Sequence, residues 1–534
     1  MHMHEFLSDA PFIAGIALST LVVFIASKLW RSSSMVDKLP GPPSSSWLYG
    51  NMLQLVFPRI YGEFEFDWQK KYGTVYRIKG VFGENLLIVS DPTAIQHIMN
   101  NHSFIRAPIQ WRKGELIFGR RSVYCAEGDN HKRIRAALSP GFAPTVVRGF
   151  VPIFIDAVTR IVREWEKACS VPGPQGAVNV CHLLDHATLD VISEAALGLP
   201  LNTVAEPSHP LARTHLHVLK SGFDRSKSDL LSDTFLPYIP TFLSRALLRA
   251  PTGPLKALAG FRSVTDDMSA KIIGSTKHQN EVEDSGKDVL SILIQGLAAQ
   301  SKKALTPEEL AEQIRVILLA GQDTSADALA WCLYELAKDP NYQTQLRSEI
   351  ELYHSRSVSA GGPMEYDTMP LLNAFLKEIL RFYPAGPYLE RVAAEDLMIP
   401  LSSEVTMTSG KRISQLQVRK GQYVAVAIAS FQRLESLWGA DAGRFRASRW
   451  LEGDPCGGNA LGPYAHLMTF SGGYRVCAGW RFALLEMQVF LAELVRHFSF
   501  ALPEDDVVRP LYAGVLVPIT KGEVKGLPLL IERV

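Results

Sequence analysis

The sequence predicts a mainly α-helical fold with a small β-rich region, preceded by a single N-terminal transmembrane helix. Three observations predict it. Apolar residues recur at three- and four-residue spacing over Ile153 to Trp165 and Leu183 to Leu197, the period of helices with one buried face. Strand-like stretches are few and short, such as Val75-Tyr76-Arg77-Ile78 and Leu86-Leu87-Ile88-Val89. The run Ala10 to Ser27 carries no charge and approaches the roughly 20 apolar residues that cross a bilayer.

In chain order, residues 1–30 read as a membrane anchor. Glu5 and Asp9 precede the apolar run, while Lys28, Arg31 and Lys38 follow it, which by the positive-inside rule puts the C-terminal bulk in the cytosol. A cleaved signal peptide carries its positive charge before the apolar stretch instead. Residues 31–48 form a basic, proline-rich hinge. Its Lys38-Leu39-Pro40-Gly41-Pro42-Pro43 resists helix and reads as a semi-rigid spacer. Residues 49–534 are one main body. Within it His278 to Lys287 is polar and acidic, an expected exposed loop.

The longest predicted helix is Pro307 to Lys338. Thr306 is a good N-cap, Pro307 suits the first turn, Glu309 completes a capping box, and Asp339-Pro340 ends it. At ~1.5 Å per residue it spans roughly 48 Å. It is apolar on most faces around Ile314 to Ala320, so it is expected to be central. Gly321-Gln322-Asp323-Thr324-Ser325 interrupts it with polar groups, which are costly inside a buried helix and call for a reason. In the C-terminal third, Ser402 to Leu416 reads as a polar excursion, Tyr423 to Ser430 as a strand, and Ala478 to His497 as a second strong helix.

Composition excludes several function classes. Lys and Arg total 55 against 54 Asp and Glu, without the basic excess that draws a chain to nucleic acid. The six cysteines lie scattered with no CxxC pair, so the body belongs in a reducing compartment. There is no G-x-S-x-G elbow, phosphate loop or dinucleotide fingerprint. Cys181, His182 and His186 have metal-compatible spacing, but no further ligand cluster supports them, and the segment continues as an amphipathic helix.

The chemistry concentrates in Phe470-Ser471-Gly472-Gly473-Tyr474-Arg475-Val476-Cys477-Ala478-Gly479. Glycines flank a cysteine at the start of a helix, where backbone passes close to a flat partner and free N–H groups favour a thiolate. A thiolate so held donates strongly to iron. A cysteine at a helix start is, by itself, more often a small buried hydrophobe.

Phe470-x-x-Gly473-x-Arg475-x-Cys477-x-Gly479 resembles the haem-binding signature of the cytochrome P-450 superfamily. Glu378-x-x-Arg381 resembles that family's E-x-x-R helix, Ala320-Gly321-x-Asp323-Thr324 its oxygen-activating segment, and Lys38 to Pro43 the hinge of its microsomal members. The resemblance implies the prism-shaped P-450 fold, with residues 49–534 as a haem-thiolate catalytic domain. It also implies haem b (iron protoporphyrin IX) with Cys477 as iron ligand, Phe470 beside the ligand loop, and Gly473 and Gly479 as its glycines. Arg475 and Arg391 match propionate-binding positions. His131 and Arg135 match a W-x-x-x-R pair with histidine in place of tryptophan. Glu378 and Arg381 are expected to join Arg449 in bracing the ligand loop, against the alternative of an ordinary surface ion pair.

Asp323 and Thr324 are expected to carry proton chemistry, a hydroxyl holding water and a carboxylate linking it to a proton source in a dry cavity. Gly321 is expected to leave room for oxygen. The competing reading is a kinked helix with Thr324 bonded back one turn. The resemblance further implies a monooxygenase acting on a lipophilic small molecule, in the style of fungal enzymes that oxidise terpenoids and other secondary metabolites. Electrons would come from NADPH through NADPH-cytochrome P-450 reductase, with cytochrome b5 as a second donor, at the endoplasmic reticulum membrane. Two alternatives remain open: a same-fold isomerase or dehydratase that consumes no NADPH, and a non-catalytic haem electron-transfer or sensor protein. Pocket residues are expected after Arg106, over residues 205–248, Ile314 to Thr324, Ala385 to Leu389 and near Val515. The apolar, proline-broken Phe235 to Leu243 is expected to touch the membrane lipid a second time.

Overall fold

The computed structural model describes residues 34–534 apart from 171–176, 242, 244–253, 279–287, 293–304, 454, 456–460, 505–506 and 521–524. The expected anchor, residues 1–30, and nearly all of the expected loop at His278 to Lys287 lie outside the described residues. Among those described, no helix is long and apolar enough to cross a membrane.

Helices dominate, as the periodicity predicts. Those that build the interior are α1 (Pro92–Asn100), α2 (Pro108–Ile117), α3 (Gly128–Leu138), α4 (Val151–Cys169), α5 (Cys181–Leu197), α6 (Pro210–Phe223) and α7 (Pro254–His278). They are followed by α8 (Pro307–Lys338), α9 (Pro340–Ala360), α10 (Pro370–Phe382) and α11 (Trp480–His497). The long helix α8 keeps its expected bounds because its start is capped as read: the Glu309 N–H donates to Thr306 Oγ1 at 3.2 Å and the Thr306 N–H to Glu309 Oε2 at 2.9 Å. Its flanks pack on α5, α7, α10 and α11. Leu310, Ile314, Leu318, Leu329, Trp331 and Leu333 vanish into one large core with α4, α5 and α11.

The β structure is more extensive than the sequence reading. Strands β1 (Val75–Lys79), β2 (Asn85–Val89), β3 (Phe104–Arg106), β5 (Tyr388–Ala393) and β8 (Tyr423–Ala427) form a five-stranded sheet in the order β1-β2-β8-β5-β3. Its one parallel pairing is β2 with β8. Strands β4 (Val178–Asn179), β12 (Pro528–Arg533) and β9 (Phe498–Ala501) make a three-stranded sheet, and β10 (Arg509–Tyr512) pairs with β11 (Leu516–Ile519).

Two readings need correction. The polar stretch at Ser402 to Leu416 is no loop excursion: β6 (Leu397–Thr406) and β7 (Arg412–Val418) form an antiparallel hairpin. Its polar residues face water, while Ile399, Leu416 and Val418 are fully buried, so alternation was present but diluted by Ser, Thr and Lys. The described part of the hinge is no free spacer either. Val36 and Leu39 are fully buried in the core beneath the five-stranded sheet. The Arg77 N–H donates to Pro40 O at 3.0 Å and Arg77 Nε to Leu39 O at 2.9 Å. A side chain at Gly41 would meet the Arg77 carbonyl at 1.9 Å, so the glycine is required by this docking against β1.

Candidate active site

The loop Phe470–Gly479 is set by backbone geometry before any side chain acts. Ser471 and Gly473 adopt left-handed φ values of 62° and 60°. A Cβ on Gly473 would sit 2.1 Å from the Met99 carbonyl of α1, so only glycine fits. The Cys477 N–H donates to Phe470 O at 2.9 Å, folding the cysteine back over the buried Phe470. Gly479 is the N-cap of α11, whose first turn has no capping side chain, so its free N–H groups and dipole face the cysteine.

Burial raises the Cys477 thiol, while the Gly479 backbone N–H and the Arg135 charge pull it down. The residue is nonetheless accessible, although Phe470 and Gly472 beside it are buried. Desolvation and accessibility are reconciled if the sulfur opens onto an internal cleft. The central helix shows a matching strip: Ile317, Ala320 and Thr324, at helical spacing, are accessible while Leu318, Gln322, Asp323 and Ser325 are buried.

Around the cysteine stands a cluster of cations drawn from four parts of the chain. Arg475 donates to Val123 O at 3.2 Å and Ala126 O at 2.6 Å and pairs with Glu127. Arg391 is buried on β5 directly opposite Arg106 of β3. Like charges facing each other across a strand pair are destabilising. Neither Arg391 nor Arg135 has an ion-pair partner among the described residues. Burial lowers Arg391 to about 10, with Arg106 and Arg475 adding to the effect. His131, on α3 one turn before Arg135, is lowered to about 3, first by burial and then by Arg475, Arg135 and Arg106, so it is neutral. Sequence reasoning missed Arg106; the alternation of β3 carried no sign of what it faces. His102 was also missed, and its ring lies 4.2 Å from that of Tyr474.

Such a field asks for anions. Two carboxylates presented beside Arg391, Arg135, Arg475 and His131 would complete it, while the cysteine offers one soft donor at a helix start. These residues therefore fit a haem with its two propionates and a thiolate-bound iron.

Glu378 and Arg381 of α10 are fully buried, so the surface-pair reading falls. Arg381 Nε and Nη2 each donate to the Glu378 carboxylate at 2.8 Å. The rest of its guanidinium holds the carbonyls of Gln432 at 2.7 Å, Ala442 at 2.8 Å and Arg444 at 2.9 Å. Arg449 Nε reaches Glu378 at 3.1 Å, as the resemblance implied. Trp450 Nε1 at 3.0 Å and the Arg446 N–H at 2.8 Å bond it too. This web reaches the ligand loop through Gln432, whose side-chain oxygen accepts from the Met468 N–H at 2.9 Å.

On α8, Thr324 Oγ1 donates to Ala320 O at 2.9 Å, the bond foreseen by the competing structural reading. Gly321 has a reason other than room for oxygen. A Cβ there would meet Ile192 of α5 at 2.6 Å, so the glycine lets two central helices approach. Asp323 is buried and bonded to His215 of α6, a residue the sequence did not single out.

Comparison with known proteins places this arrangement. The family model described as Cytochrome P450 matches residues 40–525, which takes in the cysteine loop, the buried Glu378–Arg381 pair and the central helix. The chain belongs to the cytochrome P450 family. Among its relatives is the protein named Cytochrome P450 monooxygenase claU of Ampulloclitocybe clavipes, 29% identical over 98% of this chain and 99% of the relative. Cytochrome P450 monooxygenase 91 of Postia placenta is 30% identical over 94% of each chain. This P450 is thus an oxidoreductase of the monooxygenase kind, in a family built around a haem-thiolate iron and served by redox partners and small-molecule substrates.

Proposed function

We propose that this P450 binds haem b with Cys477 as its iron ligand and uses NADPH-derived electrons to oxygenate a lipophilic small molecule. The observation that carries the reading is the pairing of Cys477, at an uncapped helix start, with a cluster of cations of which Arg391 and Arg135 have no ion-pair partner among the described residues. When bound, the haem iron supplies reductive activation of O2, which a thiolate donor favours.

The chain's own groups do the rest. Arg391, Arg135, Arg475 and His131 hold the propionates, with His131 neutral and able to donate one N–H. The network of Glu378, Arg381 and Arg449 keeps the ligand loop rigid. Thr324, on the accessible strip, holds water by its hydroxyl, and Asp323 beside it moves protons from within the protein. The strip of Ile317 and Ala320 supplies apolar surface that excludes bulk water and suits an apolar substrate.

Electrons would arrive through NADPH-cytochrome P-450 reductase, with cytochrome b5 as an auxiliary donor. A terpenoid or similar secondary metabolite is the proposed substrate, supported by the fungal relatives named as monooxygenases. The uncharged run Ala10 to Ser27 with its basic flank supports an anchor in the endoplasmic reticulum membrane. The half-buried Phe235 to Ile239 supports a second lipid contact.

The test is spectroscopic and then stoichiometric. The reduced carbon-monoxide complex is expected to show the thiolate-type Soret band, and Cys477→Ser to abolish it. An unchanged band in that variant refutes the ligand. NADPH consumed in step with an oxygenated product separates a monooxygenase from an isomerase.

A further inference from the structure

We infer that His215 of α6 is the positioning residue of Asp323, the acid of the central helix. The inference rests on the monooxygenase reading and goes beyond the acid–alcohol pair. His215 Nε2 lies 2.9 Å from Asp323 Oδ1 and 2.9 Å from Oδ2, so one N–H is shared by both carboxylate oxygens. His215 is 1% exposed and Asp323 5%. Among the described residues His215 is the only hydrogen-bond partner of the Asp323 carboxylate. A buried carboxylate with one donor takes its orientation, and much of its stabilisation as an anion, from that donor.

The imidazole is itself fixed. Its ring packs edge-on against Phe261 of α7, with centroids 6.3 Å apart, and α6 runs along α7. Asp323 is therefore steered by an element that shares no sequence neighbourhood with it. Asp327, one turn on, faces Lys525 at 2.9 Å, and Lys525 also holds Asp185 of α5 at 2.6 Å. Lys525 and Asp327 both feel the Asp323 charge, but neither side chain is hydrogen-bonded to it among the described residues, so the orientation of Asp323 falls to His215. Its Nδ1 is buried without a hydrogen-bond partner among the described residues, a place where a water would complete the ring's bonding.

Packing alone would also explain a buried histidine, so the test must separate the two. In the reconstituted holoenzyme with reductase and no substrate, NADPH oxidation is split into peroxide and water, in H2O and in D2O. His215→Phe keeps the ring against Phe261 and removes the donor. It is expected to raise peroxide per NADPH and the solvent isotope effect to the level of Asp323→Asn, with proton-dependent turnover falling by about tenfold. His215→Gln, which can still donate, is expected to recover part of the loss. Thermal midpoints of the two single variants and the double variant add a readout free of turnover: the double variant is expected to lose less than the sum of the singles. Wild-type peroxide yield and isotope effect in His215→Phe, or strictly additive midpoints, would overturn the proposal. The carbon-monoxide band shows in each variant that the fold and ligand survive. A wild-type protein without that band refutes the monooxygenase reading, and this inference with it.

Discussion

Glu378→Gln tests whether the buried network on α10 holds the fold or merely decorates it. The carboxylate accepts from Arg381 Nε, Arg381 Nη2, Arg446 N, Arg449 Nε and Trp450 Nε1. Glu378 and Arg381 are 0% exposed, so neither has water to fall back on. Glutamine keeps the shape, removes the charge and turns an NH2 toward groups that are themselves donors. Arg381 then keeps only carbonyl acceptors for a buried charge, while Arg449 retains its ion pair with Asp441 at 3.1 Å. Removing one partner of a buried pair costs about 3–5 kcal/mol, and that is the loss expected here.

The sign of the pH dependence is also determined. Burial pushes Glu378 up, but the bonds and charge of Arg381, with Arg446 and Arg449, outweigh it and leave the carboxyl below 4.5. The native state then binds its proton less tightly than the unfolded chain. Its contribution is present above the unfolded value and lost as pH falls through the folded one. Urea unfolding of the holoprotein followed by tryptophan fluorescence, at neutral and acid pH, reads both effects. The control is Glu63→Gln: Arg59 and Glu63 are as close, at 2.6 Å, but the Arg59 side chain is 86% exposed. If Glu378→Gln moved the midpoint no more than that surface control, the argument from burial would be wrong.

Three further outcomes follow from the geometry. Burial raises Glu486 of α11 to about 8, its two carboxylate oxygens being buried without a hydrogen-bond partner among the described residues, so the wild type should lose stability as pH rises from the unfolded value toward 8, whereas Glu486→Gln should flatten that slope in pH-dependent unfolding. Gly321→Ala places a methyl against Ile192 and should cost about 1–3 kcal/mol; adding Ile192→Ala should cost less than the two changes summed, and additivity would discredit the packing explanation. Gly473→Ala combines φ +60° with a carbonyl that cannot yield; the purified variant should carry far less haem by pyridine haemochrome assay, and full occupancy would show that the loop tolerates a side chain.

Much of the site could be read from the chain because its constraints are local. The positive φ of Gly473 in the cysteine loop is a local backbone demand, although the Met99 carbonyl it also has to clear comes from distant α1. Glu378 and Arg381 share a helix face by spacing alone. Helix α8 carries its start and stop signals in sequence, so its bounds came out as expected. The hairpin β6–β7 was missed because a half-solvated strand alternates weakly when its outer face is rich in serine and threonine.

What the sequence by itself determined was the set of elements whose code is short-range: the helices, the cysteine loop and the acid–alcohol pair on α8. Only the tertiary structure decided what those groups meet. Arg106 faces Arg391 through a strand register between segments nearly 300 residues apart, Gly321 is small because Ile192 leans on it, and Asp323 is held by His215 from another helix. Such partners are chosen by packing between distant segments, and no period or motif in one segment records the side chain that another will bring.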